Sequence, residues 1–325
     1  MKRTLVLLAA LSVALPAAGQ PPKRDPLLLS VNRAEEQLRV FKIDGTDLAL
    51  VKKLPLGKTP REICVSPDGK RAYVPNADAD SVTSIDLDAL AVAATIQALE
   101  TAKPDGCLVS ADSKTLYLTS TSRDSVVVID AATGKVTKEI PTGLKVPRRL
   151  VLTPDGKKLW VGMNKSPEVA VIDLAKGVAE KTVKVGNEPR GGPAITPDGK
   201  TFLVGNVEDD TVSWVDTTSY EVTRVTGVPI SPQRIVVSKD GDVAYVLTRF
   251  PGGGIFAMPL KAAHDKSKLV PLGKAPWGLA MNGDGTLLYA SNNSSDDIMV
   301  ISIPDLKLVN TVPAGKDPNG LAVRP

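Results

Sequence analysis

The chain has 325 residues, with 40 lysine and arginine residues against 36 aspartate and glutamate residues, and a formal net charge of +4. A balance this small argues against nucleic acid or a membrane surface as a general partner.

The first 19 residues have the pattern of a secretory signal peptide. Lys2 and Arg3 precede an apolar stretch at residues 5–15, and small residues favour cleavage before Gln20. The apolar stretch is too short to span a bilayer, so no membrane insertion is expected after cleavage. Loss of the two leading cations leaves a charge of +2. The mature protein is predicted to be periplasmic or secreted, and monomeric by default.

A repeat organises the rest of the chain. The stretch at residues 65–87, VSPDGKRAYVPNADADSVTSIDL, recurs at successive offsets of 44, 43, 43, 42 and 44 residues. Repeats of this period are typical of propeller blades. Each copy contains four apolar or β-branched runs separated by turn residues, which predicts four strands. The aspartates that align the copies are Asp68, Asp112, Asp155, Asp198, Asp240 and Asp284.

Blade counting predicts the architecture. Six copies are complete, and the fragments at residues 27–57 and 317–325 together supply a seventh blade whose inner strand comes from the C-terminus. We therefore predict an all-β, seven-bladed propeller of four-stranded antiparallel blades, closed by the final strand. A short linker at residues 20–26 precedes this single domain. The predicted blades span 27–57 with 316–325, 58–101, 102–143, 144–186, 187–227, 228–273 and 274–315.

The segment SPDGKRAYVPNADADSVTSID resembles the repeat of the YVTN β-propeller proteins, and the likeness extends over nearly all of residues 27–325. The asparagine of the Tyr-Val-x-Asn motif is present at Asn76, Asn206 and Asn292. The resemblance implies a fold similar to that of seven-bladed lactonases, WD-repeat proteins and d-type-haem propellers. These proteins perform unrelated functions on one scaffold, so the function has to be argued from the site.

Arginines are predicted to surround one mouth of the central channel. Every connection between blades carries a proline, and the two residues after each proline are expected to form a ring. Its five basic residues are all arginine, although the chain has 26 lysines and 14 arginines. The planar guanidinium suits carboxylate and phosphate. The predicted ligand-binding residues are Arg61, Arg148, Arg149, Arg190, Gln233, Arg234, Trp277 and Asn319.

Three functional hypotheses follow. The favoured one is a non-catalytic binding module for a small anionic ligand or an acidic peptide or protein, with Trp277 and Phe250 as apolar contacts. The second is a lactonase-like hydrolase in which Glu62 or Asp105 acts as the base on water. The third is an adhesive or protein-interaction scaffold. Against the first two, the arginines could instead pair with Glu62 and Asp105 and hold the blades together.

The residue types predict neither a cofactor nor a metal ion. The single histidine, His264, falls on the opposite face, which argues against histidine-dependent catalysis and histidine-ligated zinc or haem at the ring. Acids at the blade tips could bind calcium. However, Asp80, Asp124, Asp210 and Asp297 each directly precede a strand, and such a pattern favours side chains that cap their own turns.

The two cysteines, Cys64 and Cys107, fall on the inner strands of neighbouring blades. An exported protein meets oxidising conditions, so a disulfide is one outcome. Two buried thiols that act as small hydrophobes are the other.

Overall fold

The computed structural model of the protein describes residues 24–97, 100–249, 252–261 and 267–324. Within these ranges it contains 28 β-strands and one short 3-10 helix at Ala77–Ala79. No helix in these ranges is long and apolar enough to cross a membrane. The predicted signal peptide, Phe250 and His264 lie outside the described residues.

The strands form four-stranded blades in which consecutive strands pair antiparallel. Blade one contains β1 (Leu27–Asn32), β2 (Gln37–Asp44), β3 (Asp47–Pro55) and β28 (Pro318–Arg324). Blade two contains β4 (Cys64–Val65), β5 (Arg71–Asn76), β6 (Ser81–Asp86) and β7 (Ala91–Gln97). Blade three contains β8 (Pro104–Val109), β9 (Thr115–Ser120), β10 (Ser125–Asp130) and β11 (Val136–Pro141). Blade four contains β12 (Pro147–Leu152), β13 (Lys158–Met163), β14 (Glu168–Asp173) and β15 (Val178–Lys184).

Blades five and six are joined at their inner strands by one parallel bridge, between Gly192 and Arg234. Blade five contains β16 (Gly191–Ile195), β17 (Thr201–Asn206), β18 (Thr211–Asp216) and β19 (Val222–Gly227). Blade six contains β20 (Pro232–Val237), β21 (Val243–Thr248), β22 (Gly254–Pro259) and β23 (Lys268–Pro271). Blade seven contains β24 (Pro276–Met281), β25 (Leu287–Asn292), β26 (Asp297–Ser302) and β27 (Lys307–Pro313). The predicted seven-bladed propeller is therefore confirmed.

The C-terminal strand closes the ring. β28 pairs antiparallel with β1 and is the inner strand of blade one, as the sequence predicted. The buried side chain of Arg324 donates a hydrogen bond of 2.5 Å to the carbonyl oxygen of Leu87 in blade two. The last strand therefore completes one blade and also ties it to the next.

The core lies between the blades. The described residues contain seven clusters of buried apolar side chains, and each cluster is built from two adjacent blades. The recurrent aromatic of the second strand belongs to these interfaces: Tyr73 packs toward blade three and Trp160 toward blade five. Blade five has Leu203 at this position, and its Phe202 stacks on Trp160 with ring centroids 4.4 Å apart. Burial between blades therefore accounts for the aromatic repeat.

The recurrent aspartate shapes the turn between the first two strands of a blade. In blade four, Asp155 accepts hydrogen bonds from the Thr153 hydroxyl at 2.6 Å and from the backbone N–H of Lys157 at 3.0 Å. Gly156 follows with a φ of +71°, a conformation that glycine adopts without strain. Asp68, Asp112, Asp198 and Asp240 accept the equivalent bond from the hydroxyl two residues before them. In blade seven that position is Asn282, and Asp284 accepts instead from the hydroxyl of Thr286.

Because of these aspartate turns, the protein should lose stability in acid. The hydrogen bond from Thr153, followed by that from Lys157, lowers the pKa of Asp155 below its ordinary 3.8. A lowered pKa stabilises the fold above the unfolded-state value, and this stabilisation disappears as the pH falls through the folded-state value. We expect Asp155→Asn to lower the urea midpoint at pH 7 and to lower it less at an acidic pH below 3.8. Asp305→Asn, at an exposed hairpin in blade seven, is the control; an equal loss at both pH values would contradict the prediction.

Candidate functional site

The antiparallel blades place two sets of loops on one face. The connections between blades and the loops between the second and third strands share the face at which the inner strands begin. Five of the seven inner strands begin at the predicted prolines, so the residues after these prolines lie on strands and not in loops. These strands are β8, β12, β20, β24 and β28.

In all seven blades, the residue before the proline of the inter-blade connection has a left-handed backbone conformation. Its φ lies between +40° and +56° in all seven blades, and none of the seven is glycine. Such conformations cost of order 1–3 kcal/mol each, so other contacts have to hold them. The residues are Thr59, Lys103, Val146, Glu188, Ser231, Ala275 and Asp317.

Aspartates at the blade tips hold four of these seven bends. Asp80 accepts a hydrogen bond from the N–H of Lys103 at 2.8 Å, and Asp124 accepts one from the N–H of Val146 at 2.8 Å. The same contact joins Asp210 to Ser231 at 2.6 Å and Asp296 to Asp317 at 3.0 Å. The prediction that the tip acids cap their own turns was therefore wrong for Asp80, Asp124 and Asp210, because their partners lie 21–23 residues further along the chain. In blade seven Asp296 makes the contact with the bend, while the predicted Asp297 accepts a hydrogen bond from the side chain of Asn292 across its own turn. In the described ranges no group of three or more histidine, cysteine or acidic side chains is placed to hold a metal ion.

Glu62 lies at the centre of the channel and pairs with two arginines from distant blades. Its Oε2 accepts hydrogen bonds from Nη2 of Arg234 and, at 3.2 Å, from Nε of Arg149. The three side chains are only 10–15 % exposed. Burial raises the pKa of Glu62, while the charge of Arg234 opposes the rise and Asp105 adds to it. Two guanidinium groups thus share one buried carboxylate.

Asp105 forms a second cluster of the same kind. Nη1 of Arg148 lies 2.5 Å from Oδ2 of Asp105, and Nε of Arg61 lies 3.9 Å from the same oxygen. Both arginine side chains are about 30 % exposed. Burial, and then the charge of Arg148, lower the pKa of Arg61, while Asp105 opposes them. This cluster also holds more positive than negative charge.

The other ring residues differ in their surroundings. Arg190 forms an ion pair with Glu188 at 2.9 Å and donates a hydrogen bond to Oε1 of Gln233 at 3.3 Å. Gln233 is only 1 % exposed, and its amide nitrogen donates to Ser231. The guanidinium carbon of Arg149 lies 5.8 Å from the centre of the Trp277 ring, within the range of a cation–π contact.

Two further arginines join this face. Arg249 directly follows β21 and lies over Trp277 at 4.5 Å, and Arg33 directly follows β1 and pairs with Asp317 at 2.7 Å. Burial, and then the charge of Arg190, lower the pKa of Arg249. Sequence reasoning missed both as ring members because only residues after the prolines were considered. Both arginines directly follow the second strand counted from the channel, so inspecting that position in each blade would have identified them.

A pocket opens at the channel mouth, and we call it the mouth pocket. Its volume is about 60 Å³, enough for a few water molecules or one small acidic group. Four arginines and two acids line it, which gives a formal charge of +2. The lining residues are Arg61, Glu62, Asp105, Arg148, Arg149, Arg190, Trp277 and Asn319. Gln233 and Arg234, although predicted as ligand-binding residues, do not line this pocket.

Three residues of the lining have buried N–H donors that the described part of the chain leaves without an acceptor: Nε of Arg61, Nε of Arg148 and Nε1 of Trp277. Beneath the mouth pocket lies a second cavity of about 140 Å³, whose wall includes Ile63, Leu150 and Ile235. Glu62 and Arg149 border both cavities, so their cluster separates the charged mouth from a more apolar channel.

Cys64 and Cys107 form a disulfide in the channel wall, with Cα atoms 5.8 Å apart. The bond connects the inner strands of blades two and three, β4 and β8.

Residues 27–187 match the family model described as "Lactonase, 7-bladed beta-propeller". No curated protein matches the chain significantly. Among solved structures, the chain is similar to hydrazine synthase of Kuenenia stuttgartiensis, with a TM-score of 0.73 and 23% identity over 81% of this chain and 89% of that one. It is also similar to a functionally unknown protein of Desulfotomaculum acetoxidans, with a TM-score of 0.77 and 18% identity over 91% and 98% of the two chains. A third similar structure is the dihydro-heme d1 dehydrogenase NirN in complex with DHE, with a TM-score of 0.67 and 16% identity over 91% and 74%.

The fold defines the class: the protein is a seven-bladed β-propeller, and residues 27–187, just under half of the chain, are similar to the lactonase propellers. The three structural likenesses, all below 25% identity, establish the fold alone.

Proposed function

We propose that the protein is an exported binding module that takes a small anion, or the acidic group of a larger molecule, in the mouth pocket. The observation that carries this proposal is the excess of guanidinium groups over carboxylates in the lining. Arg61 and Arg148 share one acid, and Arg149 shares Glu62 with Arg234. A carboxylate or phosphate group would balance this charge and accept hydrogen bonds from the guanidinium N–H groups.

The surroundings favour binding of a partly desolvated anion. Ion pairs gain strength where water is excluded, and the side chains of Arg61 and Arg148 are about two-thirds buried. The two guanidinium groups nevertheless remain accessible to a ligand, because both side chains line the open mouth pocket. Ligand binding has a precedent on this fold, since NirN is described in complex with DHE.

Export is supported by the disulfide. Disulfides persist in oxidising compartments and are rare in the cytosol. The bond between Cys64 and Cys107 therefore agrees with the signal-peptide pattern at the start of the chain.

Removing one ring arginine should weaken anion binding. We expect Arg148→Gln to raise the dissociation constants of inorganic phosphate and acetate at least about tenfold, because a hydrogen bond to a charged group contributes about 1.5–3 kcal/mol. Isothermal titration calorimetry is the measurement. Arg71→Gln is the matched control, because Arg71 also pairs with an acid, Asp86 at 3.4 Å, on the opposite face. Equal affinities of the wild-type protein and Arg148→Gln for phosphate and acetate would show that these anions do not bind to the mouth-pocket arginines.

A lactonase-like hydrolase is the second candidate, favoured by the family match and by Glu62. Burial raises the pKa of this carboxyl, which brings it closer to the range in which a carboxylate acts as a general base. The neighbouring guanidinium groups could then stabilise a developing oxyanion.

A further inference from the structure

A larger cavity, which we call the side cavity, lies between blades six and seven on the same face. Its volume is about 580 Å³, within the range of roughly 300–1,000 Å³ typical of sites for organic ligands. Pro271, Leu272 and Ala275 give it an apolar wall, together with backbone exposed at glycines. Such a wall with few polar groups suits an apolar body.

In the described part of the chain, two side chains in contact with each other connect the linings of the side cavity and the mouth pocket. Arg249 lines the side cavity, Trp277 lines the mouth pocket, and the guanidinium carbon lies 4.5 Å from the centre of the indole ring. Ala275, also in the side-cavity wall, is two residues before Trp277. A molecule lying across this pair would therefore reach both spaces.

Charge also favours one kind of occupant. The described lining of the side cavity contains Arg249 and Lys274 and no acidic residue. An anionic molecule would therefore be attracted by two cations in the side cavity and by the net charge of +2 in the mouth pocket. The face of an aromatic body could also contact the Arg249 guanidinium.

We infer that the ligand is an organic acid with an apolar body about the size of a ring system. Its acidic group lies among the arginines of the mouth pocket, and its body occupies the side cavity across the Trp277–Arg249 pair. This inference rests on the anion site proposed above and adds the chemical class of its ligand.

The test compares carboxylates that share an acidic group and differ in body: acetate, benzoate and 2-naphthoate. We expect affinity for the wild-type protein to rise at least about tenfold from acetate to 2-naphthoate, because burial of an aromatic ring removes a large apolar area from water. Ser294→Trp should fill the side cavity from its exposed rim and cut this gain to less than about threefold, with the affinity for acetate unchanged.

Ser122→Trp is the matched control. Ser122 occupies the equivalent loop position in blade three, where its N–H donates to Ala102, as that of Ser294 donates to Lys274. We expect Ser122→Trp to keep the full rise in affinity from acetate to 2-naphthoate. Arg148→Gln should weaken the binding of acetate and of 2-naphthoate by the same factor.

The outcomes separate the two proposals. If acetate and 2-naphthoate bind the wild-type protein equally, or if Ser294→Trp retains or enlarges the gain, the extended ligand is wrong while the anion site stands. If neither acid binds, the anion site fails and this inference fails with it.

Discussion

Glu62→Ala should destabilise the propeller by about 3–5 kcal/mol, the cost expected when a buried ion pair loses one partner. Arg149 and Arg234 are only about 10 % exposed and would lose the carboxylate they share. Arginine cannot release its proton to escape this cost. Urea unfolding at pH 7 measures the effect as a change in the free energy of unfolding.

Glu139→Ala provides the matched control. Glu139 also binds an arginine through two hydrogen bonds, from Arg123 at 2.9 Å each, but this pair lies on the exposed surface. Exposed pairs contribute about 0–1 kcal/mol, so a much smaller loss is expected. Similar losses of stability in the two variants would show that the buried ion pairs of Glu62 do not contribute more than an exposed pair.

Glu62→Gln separates this structural role from catalysis. Glutamine keeps the shape of the side chain and removes its charge, so a folded variant can be assayed on a panel of lactones. If the wild-type protein hydrolyses a lactone and the folded variant does not, the hydrolase is favoured; if the wild-type protein is inactive across the panel, the binding module is favoured.

Deleting residues 317–324 should abolish cooperative folding. The deletion removes β28, with the buried Leu321 and Arg324, and leaves β1 as an open edge facing the channel. Because domains are stable by only about 5–15 kcal/mol, losing an inner strand and one side of two blade interfaces should exceed the available stability. Thermal unfolding followed by circular dichroism would show a broad transition or none.

A circular permutant supplies the control. Leu27 pairs with Arg324, so a short linker can join residue 324 to residue 27 and make residue 316 the new start of the chain. We expect this permutant to unfold cooperatively, since every strand is retained. An intact transition in the deletion variant would show that closure is dispensable.

The sequence predicts the blades because one physical requirement recurs in every copy. Each blade has to bury an aromatic or aliphatic face against the next, and blades two to seven each have an aspartate in the turn between their first two strands. The closing strand follows from counting runs, since the incomplete first blade lacks the inner strand that the C-terminus supplies. The positions of the ring arginines follow from topology for the same reason.

Which acid pairs with which arginine in the ring could not be predicted from the sequence. Glu62 reaches Arg149 and Arg234, which lie 87 and 172 residues further along the chain, and no local pattern marks either contact. These partners are set by side-chain conformations across a narrow channel, where several arginines compete for few acids. Similarly, Asp80 and Asp124 lie next to their own turns in sequence, but they accept hydrogen bonds from N–H groups at the left-handed bends before the prolines of the next blade.

The antiparallel pairing of β1 with β28 also sets how the ring responds to force. Residues 27 and 324 lie side by side at the same end of the pair. Tension between the two chain ends would therefore load the hydrogen bonds of this pair one rung at a time, and not all together in shear. When the protein is pulled at both chain ends, β1 and β28 should consequently separate under low force. Pulling through loops of opposite blades would leave this strand pair intact for longer.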